Sequence, residues 1–167
     1  DRLMEKLLLS EIAHCLNAEC PEEKVITEIS TNTRNLPAGC LFIAIKGERF
    51  DGHAFIKQAI ENGAAAAVSE YPVDGCPCIV VKNTRTALLK LAKYYRSKFN
   101  PVLVGITGSV GKTTTKEMIA LVLSEKYKTL KTQGNLNNEI GLPKTLFNLD
   151  SSYQAAVIEM GMSDFGE

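Results

Sequence analysis

The sequence has no surplus of charge of either sign: 19 lysines and arginines face 19 aspartates and glutamates. That balance removes any long-range pull toward nucleic acid or an anionic membrane, so an anion held by this chain must be gripped by local geometry. Nor is there an apolar run approaching the ~18 residues that a membrane-spanning helix needs. The five cysteines, Cys15, Cys20, Cys40, Cys76 and Cys78, are odd in number, lack CxxC spacing and come without a secretory leader. Together these features argue against a disulfide framework and for a reducing cytoplasm. Internal repeats and low-complexity stretches are missing as well. What remains is 45% hydrophobic and 23% charged content over 167 residues, enough to bury an ordinary core in one large domain or two small ones. The chain starts at Asp1 and stops at Glu167, which raises the expectation of a piece of something longer.

Hydrophobic periodicity divides the chain into an α/β pattern. Leu3, Leu7, Leu8, Ile12, Cys15 and Leu16 are spaced for one helical face over residues 3–17, which Ser10 and Glu11 break into two pieces. Residues 25–31 read as a strand, Pro37 and Gly39 as a tight turn, and 41–46 as a second strand. Asp51 and Gly52 start a helix whose apolar face is Phe55, Ile56, Ala59 and Ile60, with Gly63 placed for a left-handed cap. Residues 64–68 and 78–81 read as buried strands, and 84–99 as a helix with Leu88, Leu91, Ala92, Tyr95 and Phe99 on one side. Asn100-Pro101 marks the expected domain boundary, giving segments 1–99 and 100–167, because the residue before proline resists helix. His14 reads as structural.

After that boundary the chemistry becomes specific. Residues 102–107 form a continuous apolar run, expected of a strand buried on both faces of a parallel sheet. The run leads into GITGSVGKTTT at 105–115, and residues 112–125 then read as a helix apolar over much of its circumference. A triphosphate needs several donors aimed at it at once. Glycines at Gly108 and Gly111 let the backbone curl so that successive N–H groups point inward at the start of a helix. Lys112 supplies a point charge for the β and γ phosphates, and the Thr113 hydroxyl stands where such loops hold Mg²⁺. The residues expected to cradle the nucleotide are Thr107, Gly108, Ser109, Val110, Gly111, Lys112, Thr113 and Thr114. One position departs from the strict pattern, with Ile106 where a glycine is usual. A further strand at 155–160 ends on Glu159, at the carboxyl edge of the sheet, where a carboxylate can hold the metal directly or through water. Strand, loop, helix and strand imply a right-handed parallel crossover. The amide-rich GNLNNEIGLP at 134–143 lies in the connection, and taken alone its Asn135, Asn137 and Asn138 read as turn formers.

TGSVGKTT, GNLNNEIGLP and VIEMGM, in this order, resemble the Mur ligases. The segment ISTNTRNLPAGCLFIAIKGERFDGHAFIKQAIENGAAAAV at 29–68 resembles that family's uridine-nucleotide-binding domain. The resemblance implies a small N-terminal α/β UDP-binding domain followed by the first part of a parallel-sheet P-loop ATPase domain. It implies a cytoplasmic, ATP- and Mg²⁺-dependent ligase of peptidoglycan synthesis. Its substrates would be UDP-N-acetylmuramoyl-tripeptide and D-alanyl-D-alanine, joined through an acyl phosphate while ATP becomes ADP and phosphate. It implies catalytic roles for Lys112, Asn138 and Glu159, with Asn137 as the alternative to Asn138, and metal ligation by Thr113 and Glu159. For the uridine nucleotide it implies Thr33 and Arg34, from an Asp-Ser/Thr-Arg element, and Gly52 and His53, from an Asp-Gly-His element. Asn32 replaces the aspartate of the first. Without the family, Arg34 reads as a surface charge and His53 as a helix N-terminal residue. The carbamylated lysine, a further metal ligand, the adenine contacts and the amino-substrate domain are expected beyond Glu167, so these residues alone are not expected to complete ligation. GNLNNEIGLP and KGERFDGHAF stand against a Mur-type relative with another acceptor, or folylpolyglutamate synthase. A non-catalytic nucleotide-binding module is the third reading.

Overall fold

A computed structural model describes residues 4–108, 110–134 and 140–161. By contacts the chain falls into two units, 1–91 and 92–167.

The first unit opens with a short antiparallel pair, β1 (Leu7–Leu8) against β2 (Val25–Ile26). The helix expected from residue 3 therefore begins only at α1 (Leu9–Cys15). Leu7 is buried and Leu8 exposed, which is the alternation of a strand, and Leu8 is extended at φ −83°, ψ 141°. The Leu8 N–H donates to Glu11 Oε1 at 2.8 Å, tying off the helix start. The single strand expected over 25–31 is likewise two. After β2 the chain changes sheets, and β3 (Glu28–Ser30) pairs in parallel with β4 (Cys40–Ile43). Gly39, at φ +78°, closes the turn before β4.

β4 continues the sheet to β5 (Ala66–Ser69) and β6 (Cys78–Val80), in the order β3-β4-β5-β6 with every pair parallel. Every residue of β4 and β5 is buried, as central parallel strands require. Between them Asp51 caps a 3-10 turn (Gly52–Phe55) that runs into α2 (Ile56–Glu61), and Gly63 takes φ +108° just past the helix end, as its position in the sequence implied. Cys40, Phe42, Ala44, Ile56, Ala59 and Ala67 form one core cluster. All five cysteines are free thiols, and burial pushes the Cys40 thiol up to about 11, leaving it inert.

α3 (Thr84–Ser97) spans the division between the units. Its last turns carry Tyr95, whose ring meets Phe99 and Phe147 and whose hydroxyl donates to the Leu149 carbonyl. These contacts put the division inside the helix, whereas the sequence pattern changes at Asn100-Pro101.

The second unit is β7 (Val102–Ile106), α4 (Lys112–Ser124), β8 (Thr129–Lys131), α5 (Gly141–Leu146) and β9 (Ala155–Glu159). Its parallel sheet runs β7-β9-β8. β9 is buried throughout, but β7 is not: Val102 is 65% exposed and only Ile106 is fully covered. The cause is position, since among the described residues β7 has a neighbour on one side only. β8 and α5 were not anticipated. Pro143 is accommodated because it falls in the first turn of α5, where its missing N–H has no intrahelical partner to lose.

Tyr95→Phe removes a buried donor and leaves the Leu149 carbonyl without it. The expected cost is about 1–3 kcal/mol, read as a lower urea midpoint at unchanged slope.

Candidate functional site

In the second unit the loop between β7 and α4 lies beside the end of β9, because Ile106 and Glu159 are register partners on adjacent strands. Ile106 is the last residue of β7 and packs with Ala120 and Val157, so the position where glycine is usual is strand here and needs no curl. The curl comes later, at Gly108 (φ +136°) and Gly111 (φ +76°), conformations that L side chains rarely adopt. α4 then begins at Lys112, with its first N–H groups free of intrahelical partners by construction.

Three side chains converge where loop and strand meet. Lys112 is half-buried, and its Nζ donates to the Met160 carbonyl at 3.3 Å, just past the end of β9. The Thr113 hydroxyl donates to Glu159 Oε2 at 3.5 Å. Glu159 is only 3% exposed, its backbone N–H donating to Thr132 Oγ1 at 2.9 Å. A strand-end glutamate read in isolation would face solvent; this one is turned into the site. Thr107, Gly108, Val110 and Thr114 flank the loop, all of them exposed. Ser109, Asn135, Asn137 and Asn138 lie outside the described residues.

The donor set can be tested against Mg²⁺. Thr113 and Glu159 offer two hard oxygens 3.5 Å apart, which must close by about 0.5 Å to reach the ~3.0 Å spacing of adjacent ligands on an octahedral ion with bonds of about 2.1 Å. No cluster of three or more His, Cys, Asp or Glu able to hold a metal occurs among the described residues. The site therefore suits an ion that takes two protein oxygens and fills its other positions from water and phosphate, which is how Mg²⁺ is usually held.

Sequence reasoning missed two participants. Thr132 is fully buried and follows the unrecognised β8. Lys116 is buried one turn along α4 from Lys112, with its Nζ 3.6 Å from Glu159 Oε2 and 3.7 Å from Glu117 Oε1. The i, i+4 spacing from Lys112 was the available signal.

In the first unit the sequence-selected residues occupy loops at the carboxyl edge of the sheet, where open α/β folds take ligands. Thr33 is half-buried and Arg34 exposed in the segment after β3. Asn32 Oδ1 accepts the Arg34 N–H at 2.9 Å, the turn-forming bond an aspartate would make, so the substitution preserves this loop geometry. Gly52 is required by packing: a Cβ there would stand 2.9 Å from the Ile45 nitrogen and 3.1 Å from Ala44 Cα. The His53 ring is buried against Tyr71 at 4.8 Å. Its Nε2 accepts the Glu70 N–H at 2.9 Å, so Nδ1 is the nitrogen that carries hydrogen, and it donates to Asp51 Oδ1 at 2.7 Å. Both ring nitrogens are thus committed to holding the loop. The Asp51 carboxylate also caps the His53 N–H at 3.0 Å, and these two bonds hold its pKa below the usual aspartate range.

Residues 25–96 match the Mur ligase family, catalytic domain, and residues 106–167 match the Mur ligase middle domain. The chain belongs to the Mur ligase family. Within that family it is 45% identical over 166 residues to the UDP-N-acetylmuramoyl-tripeptide–D-alanyl-D-alanine ligase of Escherichia coli (strain K12), covering 98% of this chain and 37% of that protein. A crystal structure of MurF from Acinetobacter baumannii superposes with a TM-score of 0.92 at 37% identity, over 98% of this chain and 38% of that one. The MurF ligase from Thermotoga maritima, solved in complex with ADP, gives a TM-score of 0.78 at 39% identity, over 83% of this chain and 33% of that one. The chain spans about a third of the length of the curated relatives it matches.

Because folding lowers the pKa of Asp51, its contribution to stability is fully present above the ordinary carboxylate value of about 3.9 and is lost as pH falls through the lower folded value. Asp51→Asn keeps an acceptor but removes the charge. The variant should be less stable than the parent at pH 7, and the gap between their urea midpoints should close on acidification below about pH 4. A gap that stays constant with pH would assign the effect to shape rather than charge.

Proposed function

We propose that the intact protein carrying this chain is an ATP-dependent ligase of peptidoglycan precursor synthesis that joins D-alanyl-D-alanine to UDP-N-acetylmuramoyl-tripeptide. The observation that carries this reading is the meeting of Thr113 and Glu159 at 3.5 Å beside a left-handed glycine loop, in a chain of this family. The names of its relatives supply the substrates. The MurF–ADP complex of a relative supports nucleotide binding at this loop.

The chemistry asks much of local charge. The tripeptide carboxylate attacks the γ-phosphorus of ATP, the bond to the β-phosphate oxygen breaks, and ADP leaves. The dipeptide amine then attacks the acyl carbon of the resulting acyl phosphate, phosphate departs from the tetrahedral intermediate, and the amine loses a proton as the amide forms. Bringing a carboxylate to a triphosphate sets like charges together, so fixed donors and cations must offset them. Backbone N–H groups at residues 107–114, including Ser109, receive the β and γ phosphates at the start of α4. The Lys112 ammonium, now on the Met160 carbonyl, transfers to a phosphate oxygen. Thr113 and Glu159 would hold Mg²⁺, which when bound would supply positive charge to the phosphoryl oxygens. Asn138 assists at the nucleotide and metal, by resemblance to the family.

The uridine nucleotide is taken at the carboxyl edge of the first sheet by Thr33 and Arg34, with the Gly52 and His53 loop acting as a platform whose backbone meets the substrate. The two matched segments, 25–96 and 106–167, bracket Asn100-Pro101 and support a domain boundary there. No helix among the described residues is long and apolar enough to cross a membrane. We place the protein in the cytoplasm, where its nucleotide substrates are made.

Lys112→Ala should weaken ATP binding by about a hundredfold or more while leaving UDP binding unchanged, as two calorimetric titrations of the intact protein would show. Equal ATP affinity in parent and variant would remove Lys112 from the site. Offering the UDP-muramoyl dipeptide in place of the tripeptide should give no ADP release, and turnover with the dipeptide would point to a different acceptor specificity.

A further inference from the structure

Among the described residues, Lys116 is the one buried charged side chain at the site that the proposed chemistry leaves without a task. It is 1% exposed, on the face of α4 that also buries Ala120 and sends Ile119 and Leu123 into the core cluster. Lysine is almost never fully buried unless paired, and an apolar residue of similar volume would satisfy packing at least as well. The charge therefore calls for a reason beyond the core.

Its surroundings supply one. Lys116 Nζ is 3.6 Å from Glu159 Oε2, and that same oxygen accepts the Thr113 hydroxyl. The other carboxylate nearby is Glu117, whose Oε1 lies 3.7 Å from Lys116 Nζ while its Oε2 is held by Lys131 at 2.5 Å. Lys131 serves Glu117 chiefly, and its hydrogen bond is the leading cause of the lowered Glu117 pKa. Lys116 is thus the buried cation of Glu159.

We propose that Lys116 is a positioning residue that stands in for the metal: it holds the Glu159 carboxylate toward Thr113 and compensates its charge in the absence of nucleotide. The inference rests on the reading of Thr113 and Glu159 as metal ligands. An ammonium already 3.6 Å from the ligating oxygen repels a divalent ion arriving at the same oxygen. Phosphate oxygens offset that repulsion. The metal consequently enters with the nucleotide and not before it, and Lys116 sets the size of the coupling between the two.

The test is metal binding, read by electron paramagnetic resonance of Mn²⁺ titrated into the intact protein with and without ADP. In Lys116→Gln, which keeps a donor toward Glu159 without the charge, Mn²⁺ affinity of the nucleotide-free protein should rise about tenfold or more, and the gain in affinity produced by ADP should shrink by the same factor. Lys116→Arg should restore the parental coupling. Unchanged Mn²⁺ affinity in Lys116→Gln, or equal weakening with and without ADP, would overturn the proposal. Should the Gln variant fail to fold, the parent protein decides: nucleotide-free Mn²⁺ binding as tight as that with ADP would also overturn it. The two readings fail separately. Loss of ADP binding in the parent would remove the nucleotide site and this inference together, whereas normal ADP and Mn²⁺ binding with no effect of Lys116→Gln would remove only the role of Lys116.

Discussion

A carboxylate held out of water at the end of a central strand is the constraint on which the second unit depends. Glu159 closes β9, the strand flanked on both sides, and its neighbours are fixed by the backbone register of that sheet. Burying an ionised group is costly unless charge and hydrogen bonds meet it. Thr132 receives its N–H, Thr113 its side-chain oxygen, and Lys116 its charge. Thr113 and Lys116 come from the first turns of α4 and Thr132 from just past β8, so the carboxylate ties the start of α4 and the end of β8 to a single point. A group this well surrounded is held in place before any ligand binds, the kind of preorganisation that the proposed phosphoryl transfer would draw on.

The first unit solves another problem with other means. Its four parallel strands bring the segments after β3, β4 and β5 to one edge, and hydrogen bonds then stiffen what would otherwise be open loop. Asp51 caps a 3-10 turn, His53 bridges from that cap to Glu70, and Glu70 accepts the Thr84 N–H at 3.0 Å where α3 begins. The histidine that the family resemblance marks for substrate is therefore a strut.

How much of this was legible in the sequence depended on whether the signal was local. Gly63 takes positive φ just past the apolar helical face that marked it as a left-handed cap, and Gly39, read as part of a turn, and Gly108 and Gly111, read as the curl of a phosphate loop, take positive φ as well. β9 was legible because five buried residues in a row leave few alternatives. β8 has three residues and no period, and α5 carries a proline, so neither offered a pattern. In α4 the apolar residues misled: Met118, Leu121 and Val122 are exposed, while the charged Lys116 faces the core. Periodicity weighs side chains by polarity and has no means of knowing that a carboxylate from a strand more than forty residues later awaits a lysine. The break of residues 25–31 into two strands was hidden for a related reason, since pairing partners are set by the sheet and not by the run itself.

The close seat of Gly52 has a consequence for anyone reshaping the loop that follows β4. With the Ala44 and Ile45 backbone pressed against it, this position is closed to side chains of any size, while Phe50, two residues earlier, is 70% exposed. Diversity introduced along residues 46–51 would be carried by the tip of the loop and refused at its base. The anchor of that loop is thus a fixed hinge pin for engineering, and its rim is the part free to accept new side chains.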